Sequence, residues 1–403
     1  MRDVLVIGGG LAGASLATHL ADAGVDVRLV EREVGPRDKV CGDFLSHEAV
    51  HYLDRLGVDP LSLSAESIGR MRLTRGTRVA EAALPFAAAS VSRRVLDEAM
   101  LKRAAQAGAE VCRGQRAIGL RPIGLRPIGL RPIGPRPASR SGWTLSLAGG
   151  ETVDARSVFV ATGKHDLRGH GRGRGGHDDL VAFKTHFRLH ADQRRALSGH
   201  VELALFPGGY AGLSLIEDER ANLCLLVRRD RLSQLGGRWD GVLTAVRTGS
   251  ALLRDRLDGA VQLDKRPLAL SAIPYGYSVG TQGPSPVGLW RLGDQAAVIP
   301  SFSGDGMSIA LHSAALAAGV YLAGGTEDTY HRALAHDVDG SMRLALPLSR
   351  MLVHPTSQAL AMRFAGWFPR LMTKLAHHTR IPEPAVERVR ASVRARRRAA
   401  AAA

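Results

Sequence analysis

Residues 3–7, Asp-Val-Leu-Val-Ile, are almost wholly apolar, which predicts a short buried strand. An Ala/Leu-rich stretch over 11–23 predicts a helix, and Val-Arg-Leu-Val-Glu at 27–31 predicts a second strand. Strand, glycine turn, helix and strand in that order make a parallel βαβ unit. Apolar residues at helical spacing follow over 46–56 (Ala49, Tyr52, Leu53, Leu56) and 93–107 (Val95, Leu96, Ala99, Met100, Ala104). Between them, residues 68–84 read as a hairpin, and Ala109–Cys112 reads as a strand. Further strands are expected at Trp143–Leu147, Val153–Ala155 and Ser157–Ala161. Residues 180–275 carry Val201–Phe206, Ala211–Ile216 and Asn222–Val227, the pattern of an antiparallel domain, with one helix near 239–253. A strand over 289–299 and a small-residue helix over 305–323 come next. The remainder is helical, with Leu360, Phe364, Trp367, Leu371 and Leu375 on one face.

Two stretches break the pattern. Residues 118–137 repeat Ile-Gly-Leu-Arg-Pro three times and then Ile-Gly-Pro-Arg-Pro. Proline at every fifth position opposes regular ladder pairing, so this reads as an expanded surface hairpin loop. Residues 164–179 form a loop rich in Gly, Arg and His, and His165, His170 and His177 are too irregular for a metal site.

The chain has 403 residues and a formal net charge of +16. The excess arginine is scattered, apart from the repeat and the tail, and no nucleic-acid-reading module accompanies it, so no nucleic-acid partner is expected. Anionic cofactors or an anionic membrane surface remain compatible with it. Three cysteines (Cys41, Cys112, Cys224) without a CxxC argue against a disulfide framework or zinc. No metal is expected, and a cytoplasmic location fits. The N-terminal apolar run belongs to the βαβ unit rather than to a secretory signal, and no run of about 18 apolar residues predicts a spanning helix.

The chemistry begins at Gly8-Gly9-Gly10-Leu11-Ala12-Gly13. This Gly-x-Gly-x-x-Gly follows a strand, opens a helix and precedes Glu31 at the end of the next strand, the arrangement that binds a dinucleotide. Gly8 permits the turn, Gly10 admits the pyrophosphate to the backbone, and Gly13 lets helix and strand approach. The helix N-terminus offers free N–H groups and positive potential to the phosphates. Glu31 can accept hydrogen bonds from ribose hydroxyls.

Two distant segments choose between FAD and NAD. Val158-Phe-Val-Ala-Thr162-Gly163 ends a strand, and Leu289-Trp-Arg-Leu-Gly293-Asp294 ends a later one. With them the chain resembles the flavoprotein superfamily of aromatic-ring hydroxylases and geranylgeranyl reductases. The resemblance implies that Thr162 and Gly163 border the nucleotide and that Asp294 binds the ribityl chain. It places Pro300-Ser-Phe-Ser-Gly304-Asp305-Gly306-Met307 against the isoalloxazine ring. Backbone N–H groups of Gly304 and Gly306 would there stabilise the negative charge of reduced flavin. Arg93 resembles the family arginine that contacts FAD, and Arg32 and Val111 are further cofactor-binding candidates. Lys39-Val-Cys41-Gly42-Asp43 resembles the Cys-Gly-Gly or Cys-Gly-Glu segment beside the flavin in geranylgeranyl reductase-like proteins, with Asp43 as the departure. Asp43, His47 and Asp305 are proton-transfer candidates. Phe206 and Tyr210, in Phe206-Pro-Gly-Gly-Tyr210-Ala-Gly212, are expected to line the substrate pocket. The Trp-x-Trp-x-Ile-Pro of flavin halogenases does not occur.

The expected fold is α/β. A Rossmann-type FAD-binding domain (1–179 and 286–325) carries an inserted antiparallel β-sheet substrate domain (180–285), and a helical C-terminal region (326–403) ends in an Arg-rich tail. The expected function is an FAD-dependent oxidoreductase with NAD(P)H as transient donor. The favoured form is a monooxygenase that hydroxylates an aromatic or polyketide-like small molecule with O2. A reductase of isoprenoid double bonds and a flavin-binding protein without turnover are the alternatives. The missing lipid-like apolar run pulls toward the monooxygenase, and Cys41-Gly42-Asp43 pulls toward the reductase. The C-terminal region is a candidate for weak membrane-surface contact.

Overall fold

The computed structural model describes residues 1–123, 142–173, 175–176 and 178–391. Most of the pentapeptide repeat, His177 and the end of the arginine tail lie outside the described residues.

The first sheet has seven strands, centred on Arg2–Ile7. Val27–Glu31 pairs with it in parallel on one side and Thr152–Val160 in parallel on the other. Glu110–Arg113 extends the first side, and Leu289–Arg291 adds to Thr152–Val160, again in parallel. Val4, Leu5, Val6, Val158 and Phe159 are completely buried, as parallel strands covered on both faces must be. The ends of these strands therefore open on one side, where an open α/β sheet binds its ligand. Thr152–Val160 is one continuous strand, where the sequence predicts two. Its first half pairs antiparallel with Trp143–Leu147 and its second half with the central strand.

The second sheet has nine strands, and its only parallel pair among the described residues joins Gly199–Phe206 to Glu66–Arg75. Leu180–Arg188, Arg220–Arg228, Gly209–Leu215 and Gly199–Phe206 form an antiparallel run, and the hairpin Glu66–Arg75/Arg78–Ser90 continues it. The expected substrate domain over 180–285 is thus corrected. Phe44–Leu45 and the 66–90 hairpin belong to the same sheet, so the second unit is built from two separated parts of the chain.

Other expectations shift locally. Ala117–Pro122 is a strand paired with Trp143–Leu147, although it includes the start of the repeat. A register shift between Ala117 and Gly119 absorbs the irregularity, and Pro122 sits at the end of the ladder. The strand expected over 289–299 stops at Arg291 and gives way to a tight turn at Gly293–Gln295. The helix near 239–253 breaks at Ser250, whose Oγ caps the next helix by accepting the Leu253 N–H at 3.1 Å.

Helix Leu11–Ala21 packs on helix Gly306–Leu322, and Ala14, Ala17, Ala314 and Ala317 are buried between them and the sheet. Three further helices, Glu327–Val353, Pro355–Trp367 and Pro369–His378, return across the molecule, and the last two cover the strand Arg78–Ser90. A buried polar network pins this region down. Tyr52 Oη and His312 Nδ1 lie 2.7 Å apart, His312 Nε2 and Asp337 Oδ2 lie 3.0 Å apart, and Arg388 closes on Asp337.

Candidate functional site

A cavity of about 1360 Å³ runs from the open strand ends of the first sheet to the C-terminal helices. Its first end is the βαβ turn. Gly8 has φ +108°, and an added Cβ would lie 2.5 Å from the Ala161 carbonyl oxygen. Gly13 is tighter still, since a Cβ there would stand 1.9 Å from the Gly8 carbonyl oxygen. A Cβ on Gly10 would point at the Arg93 guanidinium, 3.3 Å away, and at Lys39 Nζ, 3.5 Å away. Two cations thus converge over the glycine that faces a helix N-terminus, which is the donor set a pyrophosphate requires. Arg93 is held by Asp97 at 2.8 Å, and Lys39 reaches Asp97 at 2.6 Å. Burial alone would raise the Asp97 carboxyl, but Arg93 and Lys39 outweigh it and hold it below its ordinary range.

Glu31 Oε2 accepts the Gly9 N–H at 2.6 Å, and Oε1 accepts the Glu33 N–H at 2.9 Å. It braces the turn and also lines the cavity, as Arg32 does. Thr162, Gly163 and Asp294 stand along the middle, where Lys164 Nζ approaches Asp294 Oδ2 at 3.4 Å. Cys41, Gly42, Gly304, Gly306 and Met307 line the next stretch. Cβ atoms added at Gly42 or Gly306 would meet nothing within 4 Å, so a flat ring has room between these two segments. The residues present therefore fit an extended FAD, its pyrophosphate by Gly10 and its ring between 41–42 and 304–306.

Several expected site residues lie elsewhere. Val111 packs into the core, and Pro300 does not line the cavity, although its neighbours Ile299 and Ser301 do. Phe206 is fully buried in the second sheet's own core, because the alternation of its strand turns it away from the cavity. Tyr210 does line the cavity, and its hydroxyl lies 3.2 Å from Ser301 Oγ. His47 is exposed on the outer side of its helix. Asp43 is fully buried behind the cavity wall, 2.5 Å from Lys184 Nζ. Asp305 is also buried, and burial pushes its carboxyl up to about 7 against the pull of Arg380.

Arg380, Lys39, Lys164 and Lys184 were not among the sequence-derived candidates. Arg380 lies over the Phe86 ring at 4.1 Å and beside Asp305 at 3.5 Å, so the C-terminal region closes on the flavin segment. Lys39 opens the quoted 39–43 segment and Lys164 follows Thr162-Gly163, but no local motif marks Arg380 or Lys184, because a cation that arrives from a distant element carries no spacing signal.

The far end of the cavity is apolar. Met71, Leu73 and Leu84 of the 66–90 hairpin face Leu352, Leu375 and Met372 of the C-terminal helices. At the mouth, Leu360, Phe364 and Leu371 both line the cavity and reach solvent. Trp367 is 72% exposed and Phe368 57%, so the rim is an open hydrophobic patch. Among the described residues no cluster of His, Cys, Asp and Glu could hold a metal, and no helix is long and apolar enough to cross a membrane.

Fold and site together define a flavin-dependent oxidoreductase. Residues 1–121 match the family described as FAD binding domain. The chain is 28% identical to menaquinone reductase of Mycolicibacterium smegmatis over 383 residues, 87% of this chain and 86% of the relative. A digeranylgeranylglycerophospholipid reductase 2 of Methanopyrus kandleri is 37% identical over 112 residues, 27% of each chain. A flavin-dependent brominase superposes with a TM-score of 0.75 at 15% identity, covering 98% of this chain and 99% of the brominase. The myxobacterial chondrochloren halogenase superposes with a TM-score of 0.72 at 18% identity, covering 97% and 96%. These two share the fold. Residues 1–121 thus match an FAD-binding domain, and over most of its length the chain is similar to an FAD-dependent oxidoreductase.

Proposed function

We propose that this protein is an FAD-dependent reductase that saturates a double bond in a prenylated, largely apolar substrate taken from a membrane surface. The carrying observation is the cavity, whose flavin segment continues without interruption into an apolar chamber and an exposed hydrophobic rim. A small aromatic substrate needs no such chamber. The relatives named as reductases of menaquinone and of a geranylgeranyl lipid support the same reading, since both substrates carry prenyl chains. The sequence holds no long apolar run because the chamber wall is assembled from a hairpin and three separate helices.

FAD, when bound, supplies a hydride equivalent, recharged by a nicotinamide-type donor. The chain's own residues do the rest. Arg93, Lys39 and the N-terminus of Leu11–Ala21 hold the pyrophosphate, and Asp294 orients the ribityl hydroxyls. Gly42 and Gly306 leave the ring's faces open, while Leu73, Leu84 and Met372 exclude water from the substrate. The rim residues Phe364, Trp367 and Phe368 enter the lipid interface, with the exposed Arg363, Arg370 and Lys374 beside them to meet anionic headgroups.

A monooxygenase acting through O2 on an aromatic ring is the second reading, favoured by the Pro300–Met307 segment. Mass spectrometry separates the two. Anaerobically reduced holoprotein offered menaquinone in vesicles should yield a product heavier by two hydrogens with its quinone absorbance retained. A product heavier by one oxygen, formed only in air, would establish the monooxygenase instead.

A further inference from the structure

Lys184 lies mid-strand in Leu180–Arg188, and its side chain is fully buried. It shares a strand face with Ala182, which lines the main cavity, and with His186. Its ladder partner is Cys224, which also lines the main cavity. From Lys184 a series of titratable groups leads outward. Asp43 Oδ2 is 2.5 Å from its Nζ, and Asp38 Oδ1 is 4.0 Å from the same atom. Asp38 Oδ1 is 3.9 Å from His186 Nε2, and His186 Nδ1 is 3.0 Å from Asp264 Oδ2. The Asp264 side chain is 37% exposed.

A second pocket of about 250 Å³ adjoins the cavity, sharing Arg37, Asp38 and Leu268 with it, and is lined by Asp38, Lys184, His186 and Asp264, with Arg37, Arg94 and Arg266 around them. Three buried polar atoms along the series lack a hydrogen-bond partner: Asp43 Oδ1, Asp38 Oδ1 and His186 Nε2. Buried polar atoms are nearly always satisfied. Here the unsatisfied ones mark the joints of the series, and gaps of 3.9–4.0 Å are closed by one water or one side-chain rotation. At the inner end, Cys41 Sγ accepts the Asp43 N–H at 3.4 Å, and Cys41 lines the main cavity. Asp43 is held there at φ +56°, a left-handed conformation that costs a non-glycine residue on the order of 1 kcal/mol.

We propose that Asp264, His186, Asp38, Lys184 and Asp43 form a proton relay from the small solvent pocket to the flavin wall at residues 41–43. This rests on the reductase reading for the identity of the proton acceptor, but not for the path. Saturating a double bond takes two electrons and one hydrogen as hydride from the reduced cofactor, plus one proton on the second carbon. That proton leaves the Lys184–Asp43 pair, Asp38 and His186 refill the pair, and Asp264 recovers a proton from water. Burial raises Asp43's hold on a proton. For Lys184, burial works the other way, but Asp43, Cys41 and Asp38 outweigh it and raise its hold too. The two groups therefore compete for one proton across a short contact, which suits transfer. A static ion pair would need neither His186 nor Asp264.

The test uses FAD-loaded D264N and H186Q proteins, reduced anaerobically by electrochemically generated methyl viologen radical, which gives electrons without protons, in weak buffer with a pH indicator. Asp264 Oδ2 also accepts the His186 backbone N–H at 2.7 Å and the Thr185 hydroxyl at 3.1 Å, bonds that an amide oxygen can still accept, so D264N should keep its fold and FAD content. Both variants should slow proton uptake about a hundredfold, the scale of a lost proton-transfer group. Their solvent isotope effect should rise, and imidazole or formate small enough to enter the second pocket should restore the rate. Wild-type uptake rates in both variants, or a loss that no small acid restores, overturns the relay. In the FAD-free protein, 15N signals of the His186 ring should move in K184Q, and unchanged signals would cut the relay at Asp38. No substrate is present in these measurements. Slow uptake in the variants together with an inert prenyl substrate would therefore refute the reductase reading and leave the relay standing.

Discussion

Gly306→Ala should move apoprotein stability and cofactor affinity in opposite directions. Gly306 is the first residue of helix Gly306–Leu322 and lines the cavity, and an added Cβ would meet no protein atom within 4 Å. Its φ is not in the left-handed region, so alanine fits the backbone. Replacing glycine there restricts the unfolded chain and should stabilise the apoprotein by about 0.4–1 kcal/mol. If the isoalloxazine ring lies on this segment, the same methyl group enters its space. An overpacked contact costs about 1–3 kcal/mol, or roughly 5- to 150-fold in affinity at 1.4 kcal/mol per decade. The assays are a thermal melt of the FAD-free protein and a titration of FAD followed by flavin fluorescence quenching. A variant that binds FAD as tightly as wild type would remove the ring from this place. An apoprotein with a lowered melting temperature would show that the glycine serves protein packing instead.

The remaining predictions concern other parts of the site. Gly13→Ala should destabilise the apoprotein itself by about 1–3 kcal/mol, because the helix must back off by more than 1 Å to bring a 1.9 Å approach even to 3.0 Å; unchanged melting would contradict this packing. Asp305 holds its proton up to about 7 against an ordinary 3.8, so folding favours the protonated form. The stability this contributes is complete below the ordinary value and is lost as pH rises toward 7. Asp305→Asn should therefore gain on wild type between pH 4 and pH 8, by roughly 4 kcal/mol from three pH units at 1.36 kcal/mol each; a difference that does not change with pH in parallel melts would refute it. Trp367→Ser with Phe368→Ser should abolish flotation with anionic vesicles, since each ring contributes roughly 1.5–3 kcal/mol on burial, while FAD content stays constant. Equal flotation of the double variant would move the lipid contact elsewhere.

What was legible in the sequence was local. Gly8, Gly10 and Gly13 are read from spacing, because turn, phosphate approach and helix packing each fix one position in a six-residue window. Asp294 and Gly306 enter only through the resemblance to known flavoproteins, which a strand ending in Gly-Asp and a glycine at a helix start carry. The second sheet was misjudged because its 66–90 hairpin and its 180–271 strands look like separate units until the parallel pairing of Glu66–Arg75 with Gly199–Phe206 joins them. Phe206 was misplaced by a single step of strand alternation, which exchanges cavity for core. Lys184, surrounded by apolar residues, resembles any half-buried strand position. Only the fold brings Asp43 to it across 141 residues.

That parallel pairing also sets the order in which the molecule can be made. From Arg75 to Gly199 the chain runs 124 residues. At 5–20 residues per second, the finished hairpin waits about 6–25 s on the ribosome before its neighbouring strand emerges. Throughout that interval its open edge and the apolar side chains of Met71, Leu73 and Leu84 have no partner from their own chain. An open edge of this kind is a site for pairing with other chains, so yield on expression should respond to how that edge is covered during synthesis as well as to the stability of the finished fold.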